Sequence, residues 1–114
     1  MSDGSDLPFD VRVGQANGST VVAFTGDLDV VAVPRANRAL EEAQSDGGTV
    51  VLDLRQLRFM DSSGLRVVLA AQRRASDLRA RLLVAPGEAG VRRLFDLSGV
   101  GALIELVDAP PEAA

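Results

Sequence analysis

Cysteine, histidine, lysine, tryptophan and tyrosine are all missing from this chain of 114 residues. Without cysteine there is no disulfide framework, no thiolate metal site and no thiol redox centre. Without histidine as well, most zinc and copper sites lose their usual ligands, and the Ser-His-Asp and Cys-His nucleophile systems lose their base. The missing lysine removes Schiff-base chemistry and the lysine of a phosphate-binding P-loop. No catalytic residue, no metal and no cofactor is therefore expected, and the chain reads as something other than an enzyme. All 12 cations are arginines, a uniformity that reads as codon bias rather than chemical need.

A basic balance is missing too. The net charge of −4 argues against direct nucleic-acid binding, which draws on a basic face to displace counterions from phosphates. Arg73, Arg74, Arg79 and Arg81 cluster locally, and are expected to be a solvated helix end. No apolar run approaches the roughly 18 residues of a membrane span. The opening "MSDGSDLPFD" lacks the basic-then-apolar pattern of a secretion signal. These absences together predict a soluble cytoplasmic protein.

What is present is an ordinary globular balance, 46% hydrophobic and 25% charged, at a length that suits one domain with a single core. Phe9, Val11 and Val13 alternate with Asp10 and Arg12, the period of a half-buried strand. "GQANGST" supplies turn residues, and "TVVAFTG" reads as the returning strand of a hairpin. Pro34 suits a first helical turn, with Val33, Ala36, Leu40 and Ala43 on one face and "SDGG" ending the helix. "TVVLDL" has the continuous apolar character of a central strand. Leu65, Val68, Leu69 and Gln72 mark a second helix, and "RLLVA" a further strand. "PGEAGVRRLFDLSG" reads as a third helix opened by Pro86, apolar at Val91, Leu94 and Phe95 and capped by Gly99. "ALIELV" closes with a short strand. The order β-β-α-β-α-β-α-β predicts an α/β (α+β) fold, a mixed sheet of four to five strands with about three helices packed on it. One domain is expected over residues 9–107, between flexible tails at 1–8 and 108–114.

The polar knot Asp61-Ser62-Ser63-Gly64, between a hydrophobic strand and a hydrophobic helix, admits four readings. As a cap, Asp61 accepts orphan amide protons of the first turn, Met60 and Leu65 form a hydrophobic staple, and the Ser62 hydroxyl at the first helical position is not needed for capping. As a nucleophile elbow, Ser62 stands in the serine slot of G-x-S-x-G, but Met60 replaces the leading glycine and no histidine exists to act as base. As a phosphate-accepting aspartate, Asp61 lacks the second acidic pair and the lysine that such chemistry uses. As a serine phosphorylated by another enzyme, Ser62 presents its phosphate to the free amides and positive end of the helix, so the fold tolerates it. The effect then falls on whatever docks there. For Asp27 and Asp29, turn chemistry before a helix is the simple account.

Three local patterns occur in order: "GDLDVVAVP", "VVLDLRQLRFMDSSGLRVVL" and "VRRLFDLSGVGALIEL". Over about residues 9 to 107 the chain resembles a STAS domain of the anti-sigma factor antagonist type, also called anti-anti-sigma factors. The resemblance implies that Ser62 is the phosphorylated serine, with Asp61 beside it and Asp29 near it on the partner-facing surface. Partner-binding residues carried by the resemblance and its neighbourhood are Asp27, Asp29, Asp61, Ser62, Ser63, Gly64, Leu65 and Arg66. The implied partners are an anti-sigma factor with serine kinase activity and a serine phosphatase, with the protein a monomer or weak dimer. Unphosphorylated, it would bind the anti-sigma factor and free a sigma factor; phosphorylation on Ser62 would abolish that binding. Two positions depart from the family pattern: Arg66 stands where a small residue is usual, and Ala32 replaces the Thr or Ser that commonly opens the first helix.

Other roles for such a domain are an accessory subunit of a membrane transporter for lipids or anions, and a docking module of a stress-sensing assembly. A free-standing switch is the expectation, since the chain begins at Met1, has no membrane span and keeps serine at both 62 and 63.

Overall fold

The structure, a computed structural model, describes residues 8–87 and 89–112. Of the expected tails, residues 1–7, 113 and 114 lie outside that range. Strand β1 (Asp10–Ala16) and strand β2 (Ser19–Leu28) form an antiparallel hairpin in which Ala16 faces Ser19. The two connecting residues, Asn17 and Gly18, both have positive φ (52° and 82°). That is the two-residue turn whose twist matches the flanking strands, and Asn-Gly is the pair that adopts it most cheaply.

Helix α1 (Val33–Gln44) leads to strand β3 (Val50–Met60), helix α2 (Ser62–Asp77) to strand β4 (Leu82–Ala85), and helix α3 (Ala89–Ser98) through a 3-10 turn to strand β5 (Glu105–Leu106). The sheet runs β1-β2-β3-β4-β5, antiparallel at the hairpin and parallel thereafter. The mixed five-stranded sheet with three helices is the architecture expected from the element order. Val22, Leu52 and Val84 align across three strands and share one buried core with Ala36, Leu40, Val68 and Phe95 of the three helices. The opposite face holds the buried Val51, Asp53 and Ala85. On that face Pro111 lines a shallow cavity of about 270 Å³ with Gly14, Ala16, Val21 and Ala23.

Several boundaries differ from the sequence-based expectation. Strand β3 continues past its last rung with β4, Asp53–Ala85, and pairs onward with β2 alone, through two register shifts. Those irregularities change its burial from continuous, over Val50 to Leu54, to every third residue, at Leu54, Leu57 and Met60. Helix α2 buries Leu65, Val68, Ala71 and Ala75 with Gly64 and Val67, whereas Leu69 and Gln72 are only half-buried. Small residues take the inner face because α1 packs closely there: the buried Gln44 amide donates to the Ala71 carbonyl at 2.8 Å. Helix α3 starts at Ala89 rather than Pro86, which is buried in the connection ahead of it. In "ALIELV" only Glu105 and Leu106 form strand, since Val100–Leu103 make the 3-10 turn after the left-handed Gly99.

The arginine cluster is not uniformly solvated. Arg73 and Arg79 are exposed. The half-buried Arg74 donates from Nε to the Gln44 side chain at 3.0 Å, and Arg81 forms a two-pronged pair with Glu105. Arg74 serves the α1–α2 contact, and Arg81 clips the start of β4 to β5.

Candidate functional site

Parallel pairing sets the site's position. Leu28 lies opposite Met60, so the loop after β2 and the turn into α2 emerge side by side at the carboxyl end of the sheet. Open parallel sheets commonly bind their ligands at that edge.

Asp61 is the N-cap of α2, extended in backbone (φ −115°, ψ −167°), and its Oδ1 accepts the Ser63 amide at 2.9 Å. Ser62 is the first helical residue and is exposed. Its hydroxyl is spared from capping because the Asp61 carboxylate performs it. Met60 and Leu65, on either side of the cap, are both buried in the common core, as a hydrophobic staple requires. Gly64 is buried as well. A Cβ at that position would lie 2.4 Å from Met60 Cγ and 3.1 Å from Leu28 Cδ2, so a larger residue there would force the Met60 side chain to shift.

Opposite this turn, Asp29 Oδ1 accepts the Val31 amide at 3.1 Å and its carbonyl accepts the Ala32 amide at 3.0 Å. The turn chemistry expected of Asp29 is therefore present. Helix α1 opens without a side-chain cap, since its N-cap is Ala32. Asp27 is placed differently from a free surface acid. Arg58 grips its carboxylate bidentately at 3.0 and 2.6 Å, and only 11% of its side chain is exposed. Of the residues singled out in the sequence, Asp29, Asp61, Ser62, Ser63 and Arg66 reach the surface of this end. Asp27, Gly64 and Leu65 lie behind it as support.

Three apolar residues complete the surface and were not singled out in the sequence: Val30 (69% exposed), Val31 (84%) and Phe59 (47%). Their signal was "DVVAV", which read as the lead-in to α1. Two valines inside a turn fixed by Asp29 have nowhere inward to point. Val30, Val33, Asn37, Ser63, Arg66 and Val67 line a groove of about 350 Å³ between the starts of α1 and α2. A second cavity of about 400 Å³ lies on the other side of the β2–α1 loop, between Phe9, Asp27, Asp29 and Arg35. Arg35 is held there by the Phe9 carbonyl at 2.8 Å and the Asp10 carboxylate at 2.7 Å. Among the described residues, no group of three or more acids forms a metal cage.

Chemically, this arrangement offers an exposed hydroxyl at a helix start, a structured carboxylate next to it, and an apolar rim. It supplies a surface that one added charge would alter.

The STAS domain family matches residues 10–113. An anti-sigma F factor antagonist of Paenibacillus polymyxa is 30% identical over 100 residues, covering 86% of each chain. Among solved structures, an anti-sigma factor antagonist from Mycobacterium paratuberculosis superimposes with a TM-score of 0.77 at 22% identity, over 90% of this chain and 87% of the other. The Bacillus cell fate determinant SpoIIAA, solved in its phosphorylated form, is 25% identical with a TM-score of 0.65, over 88% of this chain and 91% of the other.

Proposed function

Since the chain belongs to the STAS domain family, we propose that it acts as an anti-sigma factor antagonist controlled by phosphorylation of Ser62. In the unphosphorylated form its helix-start surface, with Val30, Val31, Phe59, Asp29 and Ser62, binds an anti-sigma factor that is also a serine kinase, and a sigma factor is released in the cytoplasm. The kinase transfers the γ-phosphoryl group of ATP to Ser62 Oγ; ADP leaves, and the hydroxyl proton goes to the kinase. A serine phosphatase returns the hydroxyl by hydrolysis, with inorganic phosphate as product. The chemistry belongs to those partners, and this chain is their substrate.

The observation that carries the reading is the uncommitted Ser62 hydroxyl. Asp61 satisfies the helix start, Ser62 stays exposed, and the exposed Val30, Val31 and Phe59 stand at the same end of the sheet. A group that becomes nearly dianionic there leaves the fold intact while placing net negative charge in an apolar contact. Emptying an almost fully occupied complex needs about 5.5 kcal/mol of differential affinity, within reach of a phosphate desolvated at an interface.

The test is a pair of baits, Ser62→Ala and Ser62→Asp, exposed to lysate of the native cell. An ATP-dependent serine kinase retained by the alanine form and lost by the aspartate form is the expected result. Equal recovery of membrane transport proteins on both baits would sink the proposal in favour of a transporter subunit.

A further inference from the structure

We propose that Arg66 is a built-in counter-ion for the phosphate on Ser62, so that phosphorylation engages a cation of the same helix as well as adding an anion. The inference rests on Ser62 as the modified residue and assigns the regulation of that site to a second residue.

Ser62 and Arg66 are four residues apart on α2, both exposed. That spacing sets their Cβ atoms roughly 6 Å apart on one face. Side chains on a helix lean toward its N-terminus and cover the turn before their own Cα, which for Arg66 is the turn carrying Ser62 and Ser63. Its place beside Ser63 in the groove wall agrees with that lean. A guanidinium matches phosphate oxygens with a two-pronged, charge-assisted hydrogen bond.

Arg66 is also available. Among the described residues it makes no ion pair, whereas Arg35, Arg55, Arg58, Arg74 and Arg81 each have a carboxylate partner. The other charges at this end are already placed. Asp61 is bound to the Ser63 amide, Asp29 to the Val31 amide, and Arg58 to Asp27. A phosphate on Ser62 thus meets the neighbouring Asp61 carboxylate, which repels it, and one uncommitted cation within reach. In the unmodified protein the same cation faces the groove between α1 and α2; in the phosphorylated protein it is drawn over Ser62. Phosphorylation therefore removes a positive charge from the groove wall in the same step that adds negative charge at the helix start.

The experiment uses the full chain with phosphoserine installed at position 62 during translation, and follows the phosphate by 31P NMR through its second ionisation. At low salt the Arg66→Ala variant should titrate about 0.15 to 0.4 unit higher than the wild type, the size of an i, i+4 pair. Arg66→Lys should retain part of the difference, and about 1 M salt should erase most of it. Coincident titrations of wild type and Arg66→Ala would overturn the proposal, as would a difference that salt leaves untouched. No kinase takes part in the measurement. Shifted titrations without kinase capture would sink the switch and keep the ion pair; capture with coincident titrations would do the reverse.

Discussion

Asp61 Oδ1 accepts the Ser63 amide at 2.9 Å across the residue between them, and that bond frees the Ser62 hydroxyl from structural duty. The two side chains should therefore separate in unfolding experiments. Asp61→Ala removes the cap of α2 and should cost about 1 kcal/mol, with Asp61→Asn keeping most of the loss away. Ser62→Ala should stay within about 0.5 kcal/mol of wild type, as exposed substitutions do. Urea titrations of the three variants decide it, and a Ser62→Ala penalty equal to that of Asp61→Ala would mean the hydroxyl is structural after all.

Two glycines test how closely the site's supports approach. A methyl at Gly64 would lie 2.4 Å from Met60 Cγ, and one at Gly87 would lie 2.5 Å from the Arg55 Cα. Gly64→Ala gains helix propensity but overfills the core, a net loss of about 1 to 2 kcal/mol. Gly87→Ala meets backbone and also needs a left-handed residue (φ 76°), so it should cost more. Because the obstacle at Gly64 is a side chain, the Met60→Ala background should shrink the Gly64→Ala penalty. No side-chain truncation should shrink that of Gly87→Ala. Thermal melts of the singles and the double with Met60→Ala measure both.

How far the chain disclosed this structure varied with the reach of each interaction. Asn17-Gly18 and Asp61 were legible because their signals are local: positive φ favours Asn-Gly, and an Asp before an apolar helix is a cap. The partnership of Asp27 with Arg58 spans 31 residues and a shifted register, so nothing local to Asp27 announced it. Val30 and Val31 read only as the lead-in to α1, because apolar character alone does not tell which way a turn points its side chains. In α2 the expected stripe through Leu69 and Gln72 was rotated, since the closeness of α1 rewards Ala71 and Ala75 on the inner face. The β3 bulges changed a period that no sequence window contained.

Gln44 links the two helices that flank the site. Its amide donates to the Ala71 carbonyl at 2.8 Å, its oxygen accepts from Arg74 Nε at 3.0 Å, and Arg74 Nη2 is buried without a partner. Gln44→Leu keeps the volume but strands the Arg74 donor, at a cost of about 1 to 3 kcal/mol. Replacing both residues, Gln44→Leu with Arg74→Leu, should be less damaging than Gln44→Leu alone, since no buried donor is then left unpaired. Denaturant unfolding of these two variants and of Arg74→Leu alone checks this; strictly additive losses would show that packing rather than hydrogen bonding sets the penalty.

Acid should loosen the outer parts of the sheet through two pairs remote from Ser62. The Val11 amide and the Arg35 guanidinium hold the Asp10 carboxyl below its ordinary range, and the Arg81 guanidinium does the same for Glu105. A carboxylate whose folded value is depressed stabilises the fold fully above its unfolded value, and that contribution is lost as pH falls through the folded one. The melting temperature should therefore be level near neutrality and decline as pH drops below about 4. Both pairs are half-exposed or more, so the contribution is small and salt-screened. Asp10→Asn and Glu105→Gln should melt slightly lower than wild type at pH 7 and converge with it in acid. The Glu105 variant should respond most in the β4–β5 amides, the Asp10 variant in those of the β1–β2 hairpin. Hydrogen exchange read at those strands distinguishes local release of an edge from a global loss, and equal slowing or quickening across all strands would refute the assignment of the acid response to these two pairs.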